Sequence, residues 1–103
     1  MFDVKDCGDF SLVSFDIPGG VLSPAALSSL NPPTVDGCKG VILSGRGPVW
    51  LFAALCHHYH PTRWVATFDP RLGGGVVIQS HHPGVKVGQV LAVGGKDGEK
   101  NTP

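Results

Sequence analysis

Two continuous apolar runs, Gly40–Ser44 and Trp64–Phe68, flank a third apolar stretch, Val49–Tyr59. No other feature of the chain restricts its fold as strongly. Apolar runs without alternation suit strands buried on both faces. Val49–Tyr59 has helical propensity and is apolar nearly all round, which predicts a buried helix stopped by Pro61. Strand, helix and strand in so short a span make a βαβ unit, whose two strands lie parallel. The turns Ser44–Pro48 and Asp69–Gly73 then leave the ends of neighbouring parallel strands and share one rim.

The remaining elements build outward from this unit. Phe2–Lys5 and Phe10–Ile17 surround Asp6-Cys7-Gly8-Asp9 and read as a β-hairpin. Alternation puts Phe10, Leu12 and Ser14 on one face of it, with Val13, Phe15 and Ile17 nearer the other. Pro18-Gly19-Gly20 ends the hairpin. A short helix follows over Ser23–Leu30, with Ser23 as N-cap and Pro24 at its first position. Gly75–Gln79 and Gln89–Val93 complete the sheet. The expected fold is α/β, a mixed sheet with an N-terminal β-hairpin and about two helices. A chain of 103 residues suffices for one domain, here 1–95, followed by a polar tail, 96–103. A domain of this size buries only about two thirds of its unfolded surface, so a deep ligand cavity calls for a second subunit.

Charge narrows the partners. Eight Lys and Arg balance eight Asp and Glu, giving a formal net charge of +0. Grip on a long nucleic acid needs a basic surplus to replace condensed counterions, so duplex DNA is not the expected partner. A small anion held by a few arginines and backbone N–H groups fits the balance. No apolar run reaches the ~20 residues of a membrane span, and the N-terminus places Asp3 where a signal peptide is basic and then apolar. No membrane association and a cytoplasmic location are expected. Cys7, Cys38 and Cys56 are odd in number and widely spaced, unlike a disulfide framework or zinc ribbon.

Three groups of residues carry chemistry. Ser44-Gly45-Arg46-Gly47-Pro48 joins a buried strand to a helix, where ligands gather in α/β sheets. Glycines admit backbone N–H groups to a phosphate, the helix N-terminus favours an anion, and Arg46 offers a bidentate contact. The alternative is an ordinary strand–helix turn with a solvated arginine. Asp69-Pro70-Arg71 reaches the same rim. It reads either as part of a site or as a structural turn in which Asp69 accepts local N–H bonds and pairs with Arg71. All five histidines, His57, His58, His60, His81 and His82, fall in one part of the sequence. His57 and His60 can share a helix face, while His58 is turned away by about a hundred degrees. Most such histidines are structural. His60, at the end of the helix, is the one expected to be exposed and able to act as acid, base or metal ligand.

Taken together, Gly40–Leu51, Tyr59-His60, Phe68–Gly73 and Val76–His81 resemble one family, the CRISPR-associated Csx family three, or CRISPR ring nuclease three. The three central motifs occur in the family's order at compatible spacing, except for an extra glycine at Gly73-Gly74-Gly75. The resemblance implies a small variant of the CRISPR-associated Rossmann fold, working as a homodimer. It further implies that two dimers sandwich cyclic tetra-adenylate RNA in a tetramer or filament and cleave it with manganese (Mn2+). By motif match His60, Asp69 and Arg71 are catalytic, with His60 and Asp69 reaching one linkage from opposite faces of the sandwich and also serving as metal ligands. Ser44, Gly45, Arg46, Gly47, Ser80 and His81 match ligand-binding positions. Some members of the family are fused to an ATPase domain. Two other readings use the same residues: a sensor that binds the cyclic oligoadenylate without cutting, and a manganese-dependent 3′ deadenylating exoribonuclease on linear RNA.

Overall fold

The structure, a computed structural model, describes residues 1–93. The expected tail, 96–103, and the boundary at residue 95 lie outside the described residues. A six-stranded mixed sheet runs in sequential order, β1-β2-β3-β4-β5-β6. Strand β1 (Phe2–Asp6) pairs antiparallel with β2 (Phe10–Phe15), forming the hairpin. Strands β2, β3 (Gly40–Gly45) and β4 (Trp64–Asp69) are parallel. Strands β5 (Gly74–Ser80) and β6 (Val90–Ala92) continue antiparallel. The hairpin alternates as its sequence requires, with Ser11, Val13 and Phe15 buried and the residues between them half-buried. In β3, Val41, Ile42 and Leu43 are wholly buried, as expected for a strand covered on both faces.

Both connections of the parallel strands cover the same face of the sheet. One is a 3₁₀ turn, Pro18–Gly20, and a 3₁₀ helix, Pro24–Ser29. In the second, the Ser23 hydroxyl oxygen accepts from the Ala25 N–H, which is the expected cap on a tighter helix than expected. The other connection is α1 (Val49–His58). Leu51, Leu55 and Tyr59 descend from α1 at four-residue steps onto Val13, Val41, Leu43 and Val65. Each fully buried leucine is worth about 1.5–3 kcal/mol. The helix is not buried all round: Val49 is 83% exposed. A single layer of connections covers the sheet here, so only one stripe of α1 meets the core, whatever the opposite stripe is made of. Tyr59 closes the helix, and its hydroxyl donates to the Pro33 carbonyl at 2.6 Å, tying α1 to the β2–β3 connection.

The other sheet face holds a second cluster, Ile42, Trp64, Ala66 and Val77, with Val85 and Leu91 against it. Among the described residues no helix is long and apolar enough to cross a membrane.

Candidate active site

Parallel pairing of β3 and β4, with Val41 opposite Val65 and Leu43 opposite Thr67, brings their carboxyl ends to one rim. Ser44, Gly45, Arg46 and Gly47 leave β3 there, and Asp69 and Arg71 leave β4. The glycines have a local reason to be glycine. Gly45 has φ 155°, and a Cβ on it would lie 2.5 Å from the Phe15 carbonyl oxygen. A Cβ on Gly47 would crowd the Leu51 and Phe15 side chains at 3.0 Å. Close packing against Phe15 thus accounts for both. Arg46 between them is exposed and, among the described residues, in no salt bridge. It lines a hollow of about 560 Å³ with Asp16, Gly19, Gly20 and Pro48. The first turn of α1 opens beside it with Pro48 as N-cap and no side-chain cap, so the positive end of the helix stays available to an anion.

Asp69 accepts the Arg71 backbone N–H at 2.9 Å and pairs with its guanidinium at 3.4 Å. That guanidinium, and then the backbone N–H, hold the Asp69 carboxyl below its ordinary value of 3.8. Within one chain this is the structural-turn arrangement. Arg71 nevertheless keeps 89% of its side chain exposed, so the pair opens at little cost to a competing phosphate.

His60 lies at the opposite rim. It follows α1 and precedes β4, so the length of β4 separates it from Asp69. Six residues of strand put these rims roughly 17 Å apart. A β-bulge organises the surroundings of His60. Val65 pairs with Gln79 but Ala66 pairs with Val77, leaving Ile78 as the extra residue. Without the bulge Gln79 would share a face with Val77. With it, Gln79 turns to the face that carries α1. There its Oε1 lies 2.8 Å from His60 Nδ1, and its Nε2 donates to the His60 carbonyl at 2.9 Å. His81 Nε2 reaches the same carbonyl at 3.0 Å, and the two imidazoles meet edge to face with centroids 5.1 Å apart.

The sequence-derived candidates therefore form two sets: Ser44, Gly45, Arg46, Gly47, Asp69 and Arg71 at the carboxyl rim, and His60 and His81 at the other. Ser80 ends β5 on the same rim as His60, but its hydroxyl is engaged locally. It pairs with Trp64, and its hydroxyl is used within the next turn, donating to the His82 carbonyl and accepting the His82 N–H, both at 3.0 Å. His57 and His58 are exposed on the last turn of α1, and only the His57 carbonyl touches His60, through its backbone N–H. Sequence reasoning left Gln79 out of the site. Only the bulge brings it to His60, and an unbroken apolar run, Val76–Ile78, gives no alternation from which a bulge could be read.

Within one chain, the described donor residues do not by themselves form a metal site. Among the described residues no three His, Cys, Asp or Glu side chains converge, and His60 and Asp69 stand on opposite rims.

A family model described as CRISPR-associated protein (Cas_csx3) matches residues 16–92. An uncharacterized protein of Aquifex aeolicus (strain VF5) is 45% identical over 89 residues, covering 81% of this chain and 78% of the relative. The matched span contains every candidate residue at both rims.

Proposed function

Because this chain belongs to the Cas_csx3 family of CRISPR-associated proteins, we propose that it is a ring nuclease that binds and cleaves cyclic tetra-adenylate between stacked copies. The observation that carries this reading is the division of the candidate groups between opposite rims. His60 of one copy can approach Asp69 and Arg71 of another where the rims meet head to tail. Such a contact is heterologous and extends naturally from dimers to a tetramer or filament. It also supplies the deep, two-sided cavity that so small a chain cannot form alone.

The chemistry follows from the groups present. A ribose 2′-hydroxyl attacks its adjacent phosphorus. The 2′-O–P bond forms and the P–O5′ bond breaks, leaving a 2′,3′-cyclic phosphate and a 5′-hydroxyl. His60 assists the proton transfer that this exchange requires. Arg46 and Arg71 neutralise the charge that grows on the phosphate oxygens. Asp69 holds Arg71 in place until phosphate competes for the guanidinium. A manganese ion would be held by the His60 imidazole and the Asp69 carboxylate of different copies, where it would supply positive charge to the phosphate.

Mass spectrometry after incubation with cyclic tetra-adenylate, with and without Mn2+, tests the proposal. Linear products with a 2′,3′-cyclic phosphate end are expected. A ring bound but recovered whole means a sensor. Cleavage of linear but not cyclic tetra-adenylate means an exoribonuclease.

A further inference from the structure

We infer that Gln79 is a positioning residue that fixes the tautomer of His60, placing the ring proton on Nδ1 and leaving Nε2 as the nitrogen that exchanges protons with a ligand. The inference rests on the proposed nuclease reading for its consequence in turnover, but not for the tautomer itself.

The assignment follows from which atoms can donate. The His60 backbone carbonyl has no proton, so the Gln79 atom facing it at 2.9 Å must be the amide nitrogen. The other end of the same amide is then the oxygen, which only accepts, and it lies 2.8 Å from His60 Nδ1. Nδ1 must therefore carry a proton. In a neutral imidazole that leaves Nε2 bare and able to take a proton, and in the imidazolium it leaves Nε2–H able to give one. The same reasoning applies to His81. Its Nε2 faces the His60 carbonyl at 3.0 Å and must donate, so both lone pairs of that carbonyl are engaged. Backbone and ring of His60 are thus held at three points from β5 and the turn after it.

The local structure gives the clamp its reason. Gln79 reaches His60 only because the bulge at Ile78 reverses the face on which it emerges. Ile78 itself is 46% exposed, so the bulge fills no gap in the core. A strand that loses regular pairing and exposes an isoleucine, while turning one polar side chain onto a histidine, is organised around that contact.

Long-range ¹H–¹⁵N correlation spectra of the full chain labelled with ¹⁵N-histidine read the tautomer directly. With the spectra recorded at a pH where imidazoles are neutral, the expected wild-type result is a His60 ring proton on Nδ1. Gln79→Leu should shift the proton towards Nε2, the position unconstrained imidazoles favour. Gln79→Glu keeps an acceptor at the ring and should retain Nδ1–H. Where cyclic tetra-adenylate is cleaved, Gln79→Leu should lower kcat by about 10- to 100-fold with KM unchanged. A wild-type His60 protonated on Nε2 overturns the inference, and that spectrum needs no variant to fold. It is equally overturned if Gln79→Leu keeps the Nδ1 tautomer, or cleaves at the wild-type kcat. Expected spectra with no cleavage of the ring by the wild type would uphold the positioning of His60 and remove the nuclease reading instead.

Discussion

His60 and Asp69 bracket β4: the histidine precedes its first residue and the aspartate is its last. Since both belong to the proposed reaction, each chain carries two half-sites that cannot serve one another. His60→Ala should slow cleavage of cyclic tetra-adenylate by about 10²–10⁴-fold, the usual worth of a positioned proton-transfer group. Binding should persist, because the arginines remain at the other rim. Single-turnover assays with labelled ring, beside a binding titration, measure both quantities, and unchanged turnover removes His60 from the chemistry.

At the carboxyl rim the sign of the pH effect follows from Arg71. Its guanidinium holds the Asp69 carboxyl below 3.8. A depressed carboxylate stabilises the fold above the unfolded value, and the contribution is lost as pH falls through the folded value. Arg71→Ala should raise the Asp69 midpoint towards 3.8, and carboxyl NMR titration of wild type and variant reads the change. An unmoved midpoint would mean that the backbone N–H, not the guanidinium, sets it.

Tyr59 gives an alkaline counterpart. Burial pushes its phenol up to about 12 from 10.0. The sign is that of a raised group: stability is intact below 10.0 and falls as pH rises towards about 12, where the unfolded chain ionises first. Tyr59 is the chain's only tyrosine, so phenolate absorbance reports it alone. Tyr59→Phe should cost about 0.5–1.5 kcal/mol through loss of the bond to the Pro33 carbonyl, measured by denaturant unfolding.

The strands and their rims were legible because they depend on continuous or alternating apolar runs. Gly40–Ser44 and Trp64–Phe68 had to be inner parallel strands, and that alone sent Arg46 and Arg71 to one rim. Helix α1 was legible as a helix but not in its exposure. Val49–Tyr59 is apolar nearly all round, and nothing in it says that only one layer of structure covers the sheet. The His60–Gln79 contact was not legible at all. It spans 19 positions and depends on a one-residue irregularity in pairing, which leaves no mark on the pattern. The local bonding of the Ser80 hydroxyl was not legible either. Hydroxyls in turns bond locally as readily as they bind ligands.

Gly40 tests the packing on the helix-free face. It pairs with Phe10 at the start of β3, and the Trp64 indole covers the place a Cβ would occupy. Gly40→Ala should force that indole away from its seat and cost about 1–3 kcal/mol. Denaturant unfolding measures the loss, and wild-type stability would contradict the seating.

Mixing two inactive variants tests most directly whether the site is assembled between copies. His60→Ala keeps an intact carboxyl rim, and Asp69→Ala keeps an intact His60 rim. Equal amounts mixed with cyclic tetra-adenylate should regain cleavage at about a quarter of the stacked interfaces, those that join the two intact rims head to tail. A mixture as inactive as each variant alone, under conditions where the wild type cleaves, would contradict the shared site.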